Sequence, residues 1–200
     1  MKRGNLLRAV VFFFLIIVIS AQAFAESPTE SIRETTDKII AFVADPALNV
    51  PDRAGERKRL IRQAVDERFD WVEMARRTLA RHWARRTDEE RKEFIALFGR
   101  LLETTYLDKV DGYSGEEVLY EGESVDEVYG VVKVKIVTKN ETEIPVEYRV
   151  KKRGDDWFVY DISIEGVSLI NNYRTQFNSI IVRSSYENLV KKLRVKVEED

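Results

Sequence analysis

Apolar positions along this chain recur with two different periods, and the change of period divides it. Up to about residue 112 the spacing is helical, from 116 to 165 it alternates, and after Gly166 it is helical again. The first helical part is well punctuated. Ser27-Pro28-Thr29-Glu30 forms a capping box with proline at the first helical position, ahead of Ile32, Ile39, Ile40 and Val43. Pro46 and Pro51 bracket a loop, and residues 57–69 predict a second helix with Leu60, Ile61, Ala64 and Val65 inward. Asp70 can cap a short third helix that carries Met74. Thr87-Asp88-Glu89-Glu90 caps a fourth, whose stripe runs Phe94, Leu97, Phe98, Leu101, Leu102, Thr105 and Tyr106.

A turn at Gly112 to Gly115 leads into the alternating part. Residues 128–138 place Val132, Val134 and Ile136 on one face, with Lys133 and Lys135 on the other. Residues 143–151 set Ile144, Val146, Tyr148 and Val150 against Glu147, Arg149 and Lys151. Residues 157–165 set Phe158, Tyr160, Ile162 and Ile164 against Asp161, Ser163 and Glu165. Residues 118–122 suit a shorter first strand, and the connections at 139–142 and 153–156 suit hairpins. The pattern predicts an antiparallel meander of about four strands, apolar on one face and wet on the other. Such a sheet needs cover. The last segment offers it, with Leu169, Ile170, Tyr173, Phe177, Ile180 and Ile181 at helical spacing and Leu189 and Leu193 beyond. The fold class is therefore α+β: a curved antiparallel sheet covered by N-terminal and C-terminal helices, a shape that can hold a ligand, though periodicity alone does not separate a packed core from a pocket.

The N-terminus changes the picture. Lys2 and Arg3 precede the unbroken apolar run from Ala9 to Ile19, and Ala23-Phe24-Ala25 supplies small residues where a signal peptidase reads. The run is shorter than the roughly 20 apolar residues of a spanning helix. A cleaved secretory signal over 1–25 is predicted, with cleavage after Ala25 and Ala23 as the alternative. Residues 26–200 then form one domain: a helical part (26–112), a sheet (116–165) and C-terminal helices (166–200). The formal net charge is −2, and a leader that takes Lys2, Arg3 and Arg8 with it leaves −5. That mildly acidic balance provides no global field for nucleic acid. With no cysteine, the chain has no disulfide framework, thiolate metal site, cysteine nucleophile or lipidated N-terminal cysteine. His82 is the single histidine, which leaves little for triads or His-rich metal sites.

Catalytic spacings are missing: there is no glycine-rich phosphate loop, G-x-S-x-G elbow or H-E-x-x-H. Glu116, Glu117, Glu121 and Glu123 read as a solvated acidic surface, and His82 as a hydrogen-bonded or surface residue. Arg76, Arg77, Arg81, Arg85 and Arg86 read either as a solvated helix face or as an attraction for anionic headgroups or an acidic partner.

Two long blocks carry a resemblance. One is 69–83 (FDWVEMARRTLARHW) with 87–106 (TDEERKEFIALFGRLLETTY); the other is 157–177 (WFVYDISIEGVSLINNYRTQF). Over roughly residues 30–195 the chain resembles the MlaC family, the toluene-tolerance auxiliary component of a lipid ABC system; Ala80 stands where the family pattern often has glycine. The resemblance implies a soluble periplasmic protein with an NTF2-like sheet and no enzymatic activity. It implies an apolar cavity that takes phospholipid as cargo, with no other cofactor and no metal. It also implies partners: an outer-membrane MlaA-type lipoprotein with a porin, and an inner-membrane Mla ABC transporter with its MlaD-type subunit. Between them the system maintains outer-membrane lipid asymmetry. The chain reads as a monomer.

Sheet parity and helical stripes give the candidate lipid-binding residues. Val132, Val134, Ile136, Val146, Tyr148, Val150, Phe158, Tyr160 and Ile162 come from the sheet; Met74, Leu97, Phe98, Leu101 and Tyr173 come from the helices. Asn172, Arg174 and Gln176 read first as structural, capping or bonding the sheet edge, and second as a partner or headgroup site. Two other functions compete. An NTF2-like periplasmic enzyme needs inward-facing acids or a histidine, and a cargo-free transporter adaptor needs a filled core.

Overall fold

The computed structural model describes residues 26–111 and 115–198, with 107–111 as backbone alone. The leader expected over 1–25 and most of the turn expected after residue 111 lie outside them. The order is α1 (Pro28–Ala44), α2 (Ala54–Arg68), α3 (Trp71–Leu79), a 3₁₀ segment (Ala80–Arg85), α4 (Asp88–Asp111), then the strands. These are β1 (Glu117–Asp126), β2 (Tyr129–Val137), β3 (Glu143–Arg153), β4 (Asp156–Ile164) and β5 (Val167–Ser168), and α5 (Leu169–Arg183) and α6 (Tyr186–Glu198) follow. Local chemistry sets the helix starts. Ser27 Oγ accepts the Glu30 N–H at 3.2 Å, and Asp70 Oδ1 accepts the Glu73 N–H at 3.0 Å. Thr87 and Glu90 bond reciprocally as a capping box.

The sheet is a five-stranded antiparallel meander in the order β1-β2-β3-β4-β5. It departs from the sequence expectation in two ways. β1 is ten residues long rather than five, and the two-residue β5 adds a fifth strand. β1 is an edge strand whose residues from Glu121 to Asp126 are all exposed, so no alternation marks its second half.

β4 carries the larger correction. Arg149 pairs with Asp161, but Val150 pairs with Val159, so Tyr160 is an extra residue in a bulge. One extra residue inverts the parity of everything before it. Ile162 and Ile164 keep the predicted face, whereas Trp157 and Val159 replace Phe158 and Tyr160 on it. Phe158 and Tyr160 turn to the opposite face, where Arg153 lies 4.0 Å over the Phe158 ring and Tyr160 packs against the helices. That face is not uniformly wet, because α3 and α5 pack on β4. Asp161 and Ser163 are buried beneath them. Asp161 accepts the Ser168 hydroxyl at 2.7 Å and the Ile170 N–H at 3.1 Å, anchoring the start of α5.

Buried side chains form two clusters. One joins Ile32 of α1 to the apolar face of the sheet; the other joins α3, α4, α5 and α6 around Phe94, Phe98, Phe177 and Leu189. Phe69 packs against both. Arg68 ties α1 to β4: its Nε donates to Thr35 Oγ1 at 2.9 Å and its Nη1 to the Trp157 carbonyl at 3.1 Å, and both bonds are buried. Among the described residues no helix is long and apolar enough to cross a membrane.

Candidate functional site

The apolar face of the sheet is not evenly covered. At one end, Gly130 lies under the start of α1, where an added Cβ would meet Val150 Cγ2 at 3.1 Å and Pro28 Cγ at 3.4 Å. Val132, Val150, Val159 and Trp157 are buried there with Ile32. Across the sheet the register runs Tyr120–Val134–Val146–Ile164, and beyond it Val118–Ile136–Ile144. In these outer rows only Val134 and Val146 are buried. Val118, Tyr120, Ile136, Ile144 and Ile164 are half-buried, as are Tyr148 and Ile162. Packing therefore slackens from the Gly130 end to the end where β1 begins.

Two phenols lie on this face, Tyr120 in an outer row and Tyr148 in the row of Val132 and Ile162. Desolvation pushes the Tyr148 phenol up to about 12, yet the side chain keeps accessible surface. The Tyr120 phenol is also raised, first by burial, and Arg33 lies 4.0 Å over its ring. Its hydroxyl is buried close to Thr36 without a well-aligned hydrogen bond. Otherwise these rows carry no ionisable side chain.

The structure thus places the candidate residues in three groups. Val132, Val134, Ile136, Val146, Tyr148, Val150 and Ile162 share the apolar face of the sheet. Met74, Leu97, Phe98, Leu101 and Tyr173 belong to the helical cluster, where Tyr173 meets Phe98 edge-on at 5.5 Å. Phe158 and Tyr160 are on the far face. Sheet parity also reaches Val118, Ile144 and Ile164, which the candidate set does not contain. Trp157 and Val159 were hidden by the bulge, and Phe69 had no signal in its local pattern.

The remaining expectations concern polar residues. His82 Nε2 stands 3.0 Å from Asn178 Oδ1, a hydrogen-bonded histidine. Asn172, Arg174 and Gln176 do not bond the sheet edge: they are exposed, Gln176 donates to Asn172 Oδ1 at 3.0 Å, and Arg174 donates to Asn171. The acidic surface has structural uses as well. Glu123 accepts the Thr29 N–H at 2.8 Å at the start of α1, and Lys135 bridges Glu121 and Glu143 at 3.0 Å each. Among the described residues no group of histidine, aspartate and glutamate side chains is arranged to hold a metal.

Comparison with known proteins fits this architecture. The family model described as MlaC protein matches residues 33–195. The intermembrane phospholipid transport system binding protein MlaC of Haemophilus influenzae is 20% identical over 192 residues, covering 92% of this chain and 89% of that protein. The solved structure of a phospholipid-binding protein from Ralstonia solanacearum, in complex with a phospholipid, superposes with a TM-score of 0.75 at 26% identity, covering 84% of this chain and 96% of that one. With the family's pattern running through both the helical part and the sheet, the chain belongs to the MlaC protein family.

Proposed function

We propose that this chain is a periplasmic phospholipid carrier without enzymatic activity. It holds acyl tails against the slack end of the sheet's apolar face and leaves the headgroup near solvent. The observation that carries this reading is the set of half-buried apolar side chains Val118, Ile136, Ile144 and Ile164 in the two rows of the apolar face farthest from Gly130. A core built only for stability would pack these to the density of its neighbours. The phospholipid in the Ralstonia relative and the transport name of the Haemophilus relative point the same way.

Energetics set what such a carrier must do. At about 0.8 kcal/mol per methylene, two chains with roughly 30 methylenes cost on the order of 20 kcal/mol to expose to water. The carrier has to cover nearly all of that surface and still release it. An apolar face without charged clamps suits reversible loading. In this reading the chain is exported by its N-terminal signal. It carries phospholipid between an outer-membrane MlaA-type lipoprotein–porin complex and an inner-membrane ABC transporter with its MlaD-type subunit, which maintains outer-membrane lipid asymmetry.

Native mass spectrometry on protein exported with its own N-terminus tests the proposal. The expected spectrum shows the chain with phospholipid mass added. A preparation that is uniformly empty, and that takes no lipid from vesicles, overturns it.

A further inference from the structure

Most arginines whose partners are defined meet carboxylates. Arg76 and Arg77 hold Glu73 at 2.7 and 2.8 Å, Arg86 meets Glu90 at 3.2 Å, and Arg91 meets Asp88 at 3.1 Å. Arg68 reaches Glu34, and Arg194 reaches Glu93. Arg81, Arg85, Arg174 and Arg183 have no carboxylate partner among the described residues, a trait they share with Arg100 of α4 and Arg149 of β3, and these four lie together. All four are on the 3₁₀ segment and α5, which lie side by side. Arg81 Nη2 donates to Asn178 Oδ1 at 2.9 Å, and His82 approaches the same oxygen.

A groove opens between the two elements, lined by Leu79, Ala80, Arg81, Arg174, Thr175 and Asn178. No carboxylate lines it. Arg81 and Arg174 are bonded only to neutral amide oxygens, and the Asn178 amide oxygen is already taken, so its N–H groups are the part left to offer. The surroundings extend this character. From Trp71 to Arg86 there are five arginines against the single carboxylate of Glu73, and α5 has no carboxylate at all. Residues 115–165, in contrast, carry thirteen carboxylates against seven basic side chains. The sheet region is thus net negative, while the 3₁₀ segment, α5 and α6 are each net positive.

The fold gains nothing from this separation, because unpaired like charges on neighbouring elements repel. It does create a directed field. Exposed apolar side chains accompany these basic groups on α5 and α6. Asn171, Arg174, Asn178 and Val182 follow one another along α5, and Val182 is 62% exposed. On α6, which packs beside α5, an open groove is lined by Asn188, Lys191, Lys192, Val195 and Lys196, with Val195 46% exposed. Scattered basic groups interspersed with single valines over three elements match a broad, laterally mobile anionic layer better than one shaped protein epitope.

We propose that the face formed by the 3₁₀ segment, α5 and α6 docks on an anionic bilayer, with Arg81 and Arg174 on lipid phosphates and Val182 and Val195 at headgroup level. The proposal adds a docking surface to the carrier reading and does not depend on it.

The test is flotation of the protein, purified after expression of the full chain, with two vesicle types: phosphatidylcholine alone, and phosphatidylcholine mixed with phosphatidylglycerol. Binding is expected to the mixed vesicles at low salt and to weaken as salt is raised. Arg81→Gln with Arg174→Gln should reduce partitioning about thirtyfold, at the usual contribution of a basic residue near an anionic surface. Arg81→Lys with Arg174→Lys keeps the charge and should bind nearly as the parent does, and it also checks that the site tolerates substitution. Equal binding to both vesicle types, no binding to either, or a Lys pair as weak as the Gln pair each overturns the proposal. So does thermal stabilisation by inorganic phosphate without vesicle binding, which marks a discrete anion site instead. Phospholipid co-purifying with each preparation is measured in parallel, so that lost docking with retained cargo is distinguished from failure of the carrier reading.

Discussion

Ala80 closes α3 with φ 47° and ψ −120°. A Cβ crowds the backbone in that region and glycine occupies it freely. The same angles belong to the first central residue of a type II′ turn, a position dominated by glycine. The chain is held there from both sides. The Ala80 N–H bonds the Arg76 carbonyl, and the segment that follows lays Arg81 and His82 onto Asn178 of α5. Ala80→Gly should therefore stabilise the protein. Removing the strain returns about 1–3 kcal/mol, while the freer unfolded chain takes back about 0.4–1 kcal/mol. The methyl group is exposed and its loss costs little buried area. The net expectation is about 1 kcal/mol, a rise of roughly 2–4 °C in Tm for a chain of this size. The assay is paired thermal and urea unfolding near pH 7 on lipid-stripped protein, since bound lipid would raise the midpoint by mass action. Ala80→Val gives the opposite sign, because a β-branched side chain fits that region worst. An unchanged or lowered midpoint for Ala80→Gly would refute the strain argument.

Three further outcomes follow from the packing and the charges. Ile136→Trp, at the slack end, should keep the unfolding free energy from urea titration within about 1 kcal/mol of the parent and lower co-purifying phospholipid, whereas Val132→Trp, fully buried beneath α1, should cost about 1–3 kcal/mol or more; equal destabilisation by both would mean the two ends are packed alike. Phe98→Ala removes a ring that touches Tyr173 and Phe177 and should cost about 3–5 kcal/mol by urea unfolding. Hydrogen bonds from Arg76, and then from Arg77, hold the Glu73 carboxyl at about 2 against an ordinary 4.5. A carboxyl lowered on folding adds stability that is complete above 4.5 and lost as pH falls towards 2, so Glu73→Gln should flatten the acid limb of the stability profile in that window; an unchanged limb would place its origin elsewhere.

How far the sequence could be read depends on how local the cause was. The starts of α1, α3 and α4 were legible because Ser27, Asp70 and Thr87 cap their helices within four residues of sequence. The inward face of β2 and β3 was legible because both alternate without interruption across their shared register. β4 was misread from one added residue: periodicity places Tyr160 with Ile162, and only pairing against Arg149 and Val150 exposes the bulge. Asp161 was misread because a carboxylate on a strand looks wet until α5 is seen packing over it. The helical members of the candidate set share a different limit. Met74, Phe98 and Leu101 have the spacing of a stripe facing something apolar, and spacing alone does not say whether that is a ligand or the neighbouring helices.

The separation of the two clusters bears on how one small chain could hold cargo and stay folded. An under-packed face is costly if the same residues also carry the fold. Here the burden lies elsewhere. The ring cluster of Phe94, Phe98, Phe177 and Tyr186 joins α4, α5 and α6, and Met74, Ala75 and Leu79 bring α3 into it, apart from the sheet's apolar face. The Gly130 end of that face is locked by three separate means: the near contact of Pro28, the burial of Ile32, and the Arg68 bonds to Thr35 and Trp157. Residues at the other end are spared that work, and they are the half-buried ones. Bulky substitution should accordingly be tolerated in the order of distance from Gly130, and the positions that tolerate it should be those where a side chain displaces cargo instead of core.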